Sequence, residues 1–299
     1  MAGEIAGRVL KEIAKIVKRG TKLLEICEKS EKLIEKYGGK PAFPTNVSIN
    51  SIAAHYTSPP GDTKIVENSS IVKIDIGAHV NGYIGDTALS VYVGSPPKVI
   101  RDAFKAAQDA LNNAISIAKE GVRVGELSNA IYSTAHSYGF GVLKDLNGHE
   151  IKRYKLHAGL TIPNIPKFLD ITGLGKGPKL KEGMVIAIEP FIVVSQDDSY
   201  TTPLHNMTFI YSLKEVKSTN NGVYLKLFRR FRTLPFALRW LVKTRAHVRR
   251  VEKIFYRLEK EKLLHGYPTL QERRGKLVIQ FEHTIFIKKS SADVLTYAT

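Results

Sequence analysis

Apolar residues recur with a helical period at the start of the chain. Between residues 4 and 36, one face of the pattern is apolar, and lysine and glutamate occupy the rest. The apolar face begins with Ile5, Val9, Ile13, Ile16 and Val17. The glycines and prolines of YGGKPAFP follow, so we predict a helix over residues 4–36 that ends there. The same spacing predicts helices over residues 97–119 and 125–138.

Shorter segments show the apolar character that is typical of β-strands. Residues 71–94 form two predicted strands around Asn81-Gly82, a dipeptide that favours a two-residue hairpin turn. Further strands are predicted at MVIAIEPFIVV, residues 184–194, and at KLVIQFEHTIFI, residues 276–287. Helices and strands mixed in this way indicate an α/β or α+β protein.

The predicted hairpin carries two aspartates, Asp75 and Asp86, into apolar surroundings. If Asn81-Gly82 forms a two-residue turn, Gly77 pairs with Asp86. Asp75 then lies diagonally across the same face, with the two Cα atoms roughly 7–8 Å apart. Carboxylates held that close repel each other, so a proton or a cation must compensate. The alternative is an open face on which both aspartates are solvated.

Two glutamates strengthen the metal interpretation. In the last predicted strand, Glu282 shares a polar face with Gln280 and Thr284, opposite the apolar residues. Glu189 stands alone within an apolar strand. Because an unpaired buried charge is costly, Glu189 is predicted to be a protonated acid or a metal ligand.

The segment NGHEIKRYKLHAG adds His149 and His157, which a bend in the chain could bring together. A lone histidine is more often structural than a ligand. Two aspartates, two glutamates and one histidine would nevertheless suit a pair of divalent ions ~3.5–4 Å apart that activate a shared water. This donor set favours hydrolysis, and the single cysteine excludes a thiolate-rich site.

Charge is distributed unevenly along the chain. The formal net charge is +17, and residues 226–263 hold thirteen Lys and Arg against three Glu. Beneath these charges runs an apolar stripe that consists of Leu238, Leu241, Val248, Val251, Phe255 and Leu258. The stripe favours amphipathic helix with a solvated basic face, and contact with ribosomal RNA or another polyanion is the alternative.

Cysteine usage and hydropathy bear on the cellular location. Cys27 is the single cysteine and cannot form an internal disulfide, which favours a reducing compartment. The longest apolar runs fall short of the roughly 20 residues that cross a bilayer. We therefore expect a cytoplasmic protein without a membrane span.

Five sequence blocks together resemble the methionine aminopeptidases, in particular the type 2 branch of archaea and eukaryotes. In chain order, the blocks are FPTNVSINSIAAHYTSPPGD, KIDIGAHVNGYIGDTA, NGHEIKRYKLHAG, EGMVIAIEPF and VIQFEHTI. The resemblance implies the pita-bread fold, a curved and mostly antiparallel sheet backed by helices. The long helical segment before the last block resembles the insertion that separates type 2 from type 1 enzymes.

The resemblance implies five metal ligands, which are Asp75, Asp86, His149, Glu189 and Glu282. Asp86 and Glu282 would bridge two ions, and Glu189 would also shuttle the proton. The cofactor is therefore expected to be two divalent metal ions, and Co, Mn, Fe and Zn all suit the donors.

The resemblance also implies substrate-binding residues. His55 would approach the scissile amide, and His157 would hydrogen-bond the substrate and the tetrahedral intermediate. The positions that match the lining of the methionine pocket are Phe43, Leu156 and Tyr267. His205 is a candidate for a further pocket histidine that we leave unassigned.

The implied activity is removal of the N-terminal methionine from nascent proteins and peptides, by hydrolysis through a hydroxide that bridges the two metals. We expect a monomer, with the basic segment close to the ribosome. Residues 1–195 and 268–299 would form the catalytic domain, and residues 196–267 the helical insertion subdomain.

Two other functions remain open at the level of sequence. Prolidases and aminopeptidase P resemble this ligand set but usually carry an additional N-terminal domain, whereas about 40 residues precede the first block here. Some relatives of the same fold bind RNA or ribosomes without catalysis. Those relatives have lost ligands, and here all five are present.

Overall fold

The computed structural model describes residues 1–166, 177–216, 218–242 and 245–297. Lys243, one cation of the basic segment, lies outside them. The α-helices of the described residues are α1 (Ala2–Ala14), α2 (Leu23–Lys36), α3 (Lys98–Ile117), α4 (Val124–Ser137), α5 (Gly222–Phe231) and α6 (Arg245–Lys260), with a 3₁₀ turn at Leu238–Trp240.

The described residues contain sixteen strands. The first half contains β1 (Lys40–Pro41), β2 (Asn46–Ile49), β3 (Ile52–Ala54), β4 (Ile71–Val80), β5 (Tyr83–Tyr92), β6 (Gly141–Val142), β7 (Asn147–Ile151) and β8 (Thr161–Pro163). The second half contains β9 (Val185–Ile188), β10 (Phe191–Val193), β11 (Thr201–Leu213), β12 (Phe236–Ala237), β13 (Leu264–Glu272), β14 (Val278–Gln280), β15 (Glu282–Ile287) and β16 (Ala292–Val294).

The prediction of one helix over residues 4–36 is wrong, because two helices occupy this range. The chain leaves α1 after Ala14 and turns at Gly20, whose φ of 85° is a conformation that glycine adopts without steric cost. The Gly20 amide donates to the Val66 carbonyl, so a distant segment holds the turn. By contrast, α3 and α4 confirm the other two predicted helices.

Three sheets organise the described residues. The largest has the order β1-β4-β5-β15-β9-β7-β8, with β16 beside β15 and β2 beside β4. A three-stranded sheet has the order β14-β10-β6, and a four-stranded sheet has the order β12-β11-β13-β3. Every pair of named strands in these sheets is antiparallel, as we expected.

The hairpin of β4 and β5 has the predicted register. Val80 pairs with Tyr83 across the turn, and Gly77 pairs with Asp86. On the opposite face, Ile74 and Ile76 pack in a buried cluster with α1 and α2. This packing leaves the aspartate face free to line the interior of the protein.

Both of the remaining predicted strands are interrupted. Residues 184–194 form β9 and β10, and residues 276–287 form β14 and β15; each pair divides between the largest sheet and the three-stranded sheet. Pro190 explains the first break, because proline has no N–H to donate to a strand ladder. Glu189 therefore lies between two strands rather than within one.

Residues 196–267 contain α5 and α6 and also the long strand β11. The apolar stripe predicted for this segment is confirmed: Leu238, Phe255 and Leu258 are buried, and Leu241, Val248 and Val251 are partly buried beside them. Strand β13 runs across residue 268 and pairs with β11.

Helices cover one face of the largest sheet. α1 and α2 pack over β4, and α3 and α4 pack over β9 and β15 through a second apolar cluster. In these strands, the residues that alternate with the helix-facing ones point to the opposite face of the sheet, where the candidate site lies. Among the described residues, no helix combines the length and the apolar character needed to traverse a bilayer.

Candidate active site

The predicted site residues line one cavity of about 440 Å³. They come from all parts of the chain and comprise Phe43, His55, Asp75, Asp86, His149, Leu156, His157, Glu189, Tyr267 and Glu282. The largest sheet contributes the aspartates, His149 and Glu282, and the four-stranded sheet contributes Tyr267.

The donor atoms of the candidate metal centre converge at one end of the cavity. The ligand atoms of Asp86, His149 and Glu282 all lie within 4.8 Å of one another. The Nε2 atom of His149 is 3.6 Å from a carboxylate oxygen of Asp86 and 3.6 Å from one of Glu189. Asp75 shares the face of Asp86 across the hairpin. These residues form a candidate site for a divalent cation.

Burial and mutual repulsion favour the protonated form of the carboxyl groups when no cation is present. Burial raises the pKa of Asp75 to about 7. Burial, followed by the charge of Asp75, raises the pKa of Asp86 well above its usual value. The pKa values of Glu189 and Glu282 are raised for the same reasons, with Asp86 as the main neighbouring charge. A bound cation removes this penalty.

Several buried atoms of the cluster have no partner within the protein. Asp75 Oδ1, Asp86 Oδ1 and Glu282 Oε1 are buried and accept no hydrogen bond among the described residues. Buried polar atoms in proteins are nearly always paired. Four carboxylates and one imidazole are the donors that hard and borderline divalent ions prefer. The residues present therefore fit a divalent metal centre.

Neighbouring polar side chains orient the donors. Thr284, predicted to share the face of Glu282, accepts the Asp86 N–H at 2.8 Å and donates to the Asp86 carbonyl at 2.7 Å. Gln280 Nε2 donates to Glu282 at 3.4 Å. Asn46 Nδ2 contacts Asp75 at 3.5 Å. Thr284 thus holds the backbone of Asp86, and Gln280 and Asn46 limit rotation of the Glu282 and Asp75 carboxylates.

Asn164 forms hydrogen bonds with the backbone at Glu189 and Phe191. Its side-chain oxygen accepts the Phe191 N–H at 2.9 Å, and its Nδ2 donates to the carbonyls of Leu146 and Glu189 at 2.9 Å and 3.2 Å. Asn164 is fully buried. It therefore fixes the backbone on both sides of Pro190, where the strand pairing is interrupted.

The glycine opposite Asp86 makes room for the apolar wall of the cavity. A Cβ atom built on Gly77 would lie 2.1 Å from Cε1 of Phe43. The space at Gly77 is therefore filled by the Phe43 ring. Phe43 also packs in a buried cluster with Leu156 and Leu234, so the wall is continuous and apolar.

Three rings, those of His55, His157 and Tyr267, line the cavity together with the donors. The rings of His149 and His157 are 4.5 Å apart, which confirms that a bend brings these histidines together. Tyr267 contacts His55 edge to face, with the ring centroids 5.7 Å apart. His55 has a φ of 63°, an uncommon value for a residue with a side chain, and its buried Nδ1 has no partner among the described atoms. Burial lowers the pKa of His55 to about 4, so the ring is neutral.

His205 does not reach the cavity. It is exposed on an irregular part of β11, where the pairing with β13 shifts between Leu204 and Thr208. The cavity instead includes Asp145 and Asn147, which sequence reasoning missed. Asn147 is the first residue of the block NGHEIKRYKLHAG, but neither residue carries a periodic signal that distinguishes it from a loop residue.

Comparison with known proteins gives the same picture along the whole chain. Residues 1–289 match the model of "Metallopeptidase family M24". The chain is 41% identical over 296 residues to the methionine aminopeptidase of Thermococcus onnurineus, and the match covers 99% of this chain and 97% of that protein.

Solved structures agree on the fold. A methionine aminopeptidase from Thermotoga maritima matches with a TM-score of 0.71 at 24% identity, over 99% of this chain and 93% of that one. A prolidase from Pyrococcus furiosus matches with a TM-score of 0.64 at 21% identity, over 100% of this chain but 62% of that one. The expected pita-bread fold is thus confirmed, and the chain belongs to metallopeptidase family M24.

Proposed function

We propose that this protein is a type 2 methionine aminopeptidase that hydrolyses the first peptide bond of polypeptides beginning with methionine. The observation that carries the proposal is that all five candidate metal ligands line one cavity, with the donor atoms of Asp86, His149 and Glu282 within 4.8 Å of one another. A methionine aminopeptidase from Thermococcus onnurineus aligns over nearly its full length, whereas this chain covers 62% of the prolidase. This difference favours methionine aminopeptidase over the prolidase-like alternative.

Asp75, Asp86, His149, Glu189 and Glu282 would hold two divalent ions. When bound there, such ions polarise the scissile carbonyl and make water a stronger nucleophile near neutral pH. The intact donor set also argues against a non-catalytic relative. Co, Mn, Fe and Zn each suit these donors.

The remaining residues bind and orient the substrate. Phe43, Leu156 and Tyr267 would enclose the methionine side chain: all three line the cavity, Phe43 and Leu156 in its apolar wall and Tyr267 beside His55. His55 would approach the scissile amide as a neutral ring. His157 would donate to the carbonyl oxygen and stabilise the negative charge that develops on it.

Glu189 would move the proton. Its carboxylate lies 3.6 Å from His149 Nε2, and burial, followed by the charges of Asp86 and Asp75, raises its pKa, which makes it a stronger base than an ordinary carboxylate. In this role Glu189 takes a proton from the attacking water and delivers it to the leaving amine.

The assignment to the type 2 branch rests on residues 196–267. Between β11 and β13, helices α5 and α6 pack on an apolar cluster of their own, which includes Phe231, Phe236 and Phe255. We propose that this segment is the insertion subdomain, with residues 1–195 and 268–299 as the catalytic domain.

We also propose that the basic face of the insertion lies near the ribosome. Its exposed cations include Lys226, Arg229, Arg230, Arg249, Arg250, Lys253, Arg257 and Lys260, and none of them forms an ion pair within the described part of the chain. Binding to ribosomal RNA should weaken steeply with added salt. Substitution of Arg249, Arg250 and Arg257 by Glu should abolish that binding, and the triple variant Lys29→Glu, Lys98→Glu and Lys105→Glu serves as a control; equal binding by both would refute the proposal.

Peptide hydrolysis tests the main function. Metal-free protein should release methionine from Met-Ala-Ser when Mn or Co is added and should not cleave Ala-Pro-Ala. Cleavage of Ala-Pro-Ala would favour an aminopeptidase P. No cleavage of either peptide with any of the four metals would favour the RNA-binding alternative.

We propose that the enzyme acts as a monomer in the cytoplasm. Light scattering coupled to gel filtration tests the first point: a mass near 33.3 kDa is expected, and twice that value would contradict it.

A further inference from the structure

Lys73 places an amine in the interior of the protein. Its side chain is 1% exposed, which places it among the largest fully buried side chains of the described residues. Within that part of the chain, no carboxylate forms an ion pair with it. Burial of an amine without an acidic partner costs free energy, so hydrogen bonds to other groups must compensate for its lost hydration.

Two backbone carbonyls take the place of a carboxylate. Nζ of Lys73 donates to the carbonyl of Asn50 at 2.9 Å and to the carbonyl of Val278 at 3.0 Å. The Asn50 carbonyl also accepts the Val278 N–H at 3.2 Å. Asn50 is bound in turn to Ile71 through both its N–H and its side-chain oxygen. The amine therefore lies where three separate segments meet.

These segments belong to different parts of the fold. Lys73 is part of β4 in the largest sheet, and Val278 begins β14 in the three-stranded sheet. Asn50 lies in the turn that connects β2, which pairs with β4 in the largest sheet, to β3, an edge strand of the four-stranded sheet. One side chain thus joins the largest sheet, the three-stranded sheet and the turn that leads into the four-stranded sheet.

Each segment continues directly into the candidate active site. Asp75 follows Lys73 by two residues on β4, and Glu282 follows Val278 by four residues. His55 follows Asn50 by five residues, at the end of β3. A strand advances about 3.3 Å per residue. If one anchor shifted by one residue along its strand, the groups that follow it would therefore move by about this distance relative to the others.

We propose that Lys73 is a positioning residue of the metal centre: its amine acts as an internal cross-link that sets the spacing among Asp75, Glu282 and His55. The inference rests on the proposed function, because it assumes a divalent ion at these donors. Lys73 is not in contact with the donors and acts on them through the three backbone segments.

Chemical rescue separates this role from simple space filling. In Lys73→Ala, the missing atoms correspond to propylammonium, which can enter the vacated space and restore the two hydrogen bonds. The measurements are Mn²⁺ affinity by calorimetry and kcat/KM on Met-Ala-Ser, each with and without propylammonium. Propanol is the uncharged control of similar size, and Lys98→Ala is the matched variant of an exposed lysine.

We expect Lys73→Ala to lower Mn²⁺ affinity and kcat/KM by about tenfold or more, as is usual for groups that orient metal ligands. Propylammonium should restore most of both losses, and propanol should not. Lys73→Met, which replaces the volume without the donors, should show the same losses without rescue. Lys98→Ala should match the wild-type protein, and wild-type activity measured with propylammonium corrects for inhibition by the amine itself.

Wild-type affinity and activity in Lys73→Met would overturn the proposal. So would a rescue by propylammonium that raises the melting temperature of Lys73→Ala but restores neither Mn²⁺ affinity nor turnover. If Lys73→Ala does not fold, Lys73→Met alone decides the question. Wild-type protein that neither binds Mn²⁺ nor cleaves the peptide would instead overturn the proposed function, so the two failures are distinguishable.

Discussion

Glu189 combines two roles that a single substitution can separate. Glu189→Gln keeps the shape of the side chain but removes its ability to take a proton. We expect kcat to fall by about 10²- to 10⁴-fold at saturating Mn²⁺, with KM and the melting temperature little changed. Steady-state hydrolysis of Met-Ala-Ser measures this. Glu150→Gln is the control, because Glu150 is the neighbour of a proposed ligand and pairs with Lys152. Activity above one-tenth of the wild-type value, by order of magnitude, would remove Glu189 from the proton transfer.

Gly77 is the second residue at which a small change should have a large effect. In Gly77→Ala, the new methyl group would overlap the Phe43 ring and push it into the cavity. We expect KM for Met-Ala-Ser to rise, with a loss of stability of about 1–3 kcal/mol from the overpacked wall. Gly222→Ala is the control, since nothing lies within 4 Å of a Cβ at Gly222. Unchanged kinetics in Gly77→Ala would mean that Phe43 does not border the methionine side chain.

That Asp75 and Asp86 lie on the same face of the hairpin was predictable, because it depends on local rules. A two-residue turn at Asn81-Gly82 fixes the register of the whole hairpin, and the alternation of side chains does the rest. The role of Asn164 was not predictable in this way. Its three bonds reach Leu146, Glu189 and Phe191, and no spacing in the sequence encodes such distant contacts.

At the scale of elements, a buried ion pair ties the insertion to the rest of the protein. Arg239, in the 3₁₀ turn, donates to the Glu31 carboxylate on α2 and to the Thr57 hydroxyl at 2.6 Å. Glu31 also accepts the indole N–H of Trp240 at 2.8 Å and the N–H of Thr45 at 3.2 Å. Thr45 immediately precedes Asn46, and Thr57 follows His55 by two residues. Because Asn46 and His55 line the cavity, the ion pair supports two segments of the cavity wall.

Removal of one partner should therefore cost more than removal of both. Burial raises the pKa of Glu31 although Arg239 opposes it, so Arg239→Met leaves a carboxyl group without its main partner. We expect a loss of about 3–5 kcal/mol in the free energy of unfolding, measured with urea. The double variant Glu31→Gln and Arg239→Met should recover part of this loss. A double variant that is as unstable as the sum of the two single variants would show that the groups act independently.

Two of the three departures from the predicted helices and strands also belong to the element scale. Residues 4–36 have continuous amphipathic spacing, and the bond from Gly20 to Val66, which is distant in sequence, accompanies the turn. Residues 276–287 have continuous alternation, and the strand divides where Gln280 pairs with Ser90 Oγ through its N–H and carbonyl. In both cases a tertiary contact overrides a correct local pattern, which periodicity cannot detect.

At the scale of the whole molecule, the site exists only after the three sheets have met. The donors span residues 75–282, so each carboxylate is brought into the interior by contacts distant in sequence. The free energy of folding must therefore offset the burial of four acidic groups. Protonation or a bound cation lowers this cost, and the two compete for the same oxygen atoms.

This competition predicts how metal binding depends on pH. Because burial raises the pKa of Asp75 to about 7 and those of Asp86, Glu189 and Glu282 above their usual values, the metal-free protein retains protons on these groups to a higher pH than ordinary carboxyl groups do. An incoming divalent ion must displace the protons, so its affinity should rise with pH and fall by about tenfold or more per unit below pH 7. Calorimetry of Mn²⁺ binding in two buffers of different ionisation heat measures the protons released, and at least one per ion is expected by this order-of-magnitude argument. Binding that is independent of pH and of buffer would show that the carboxylates are already ionised before the metal arrives.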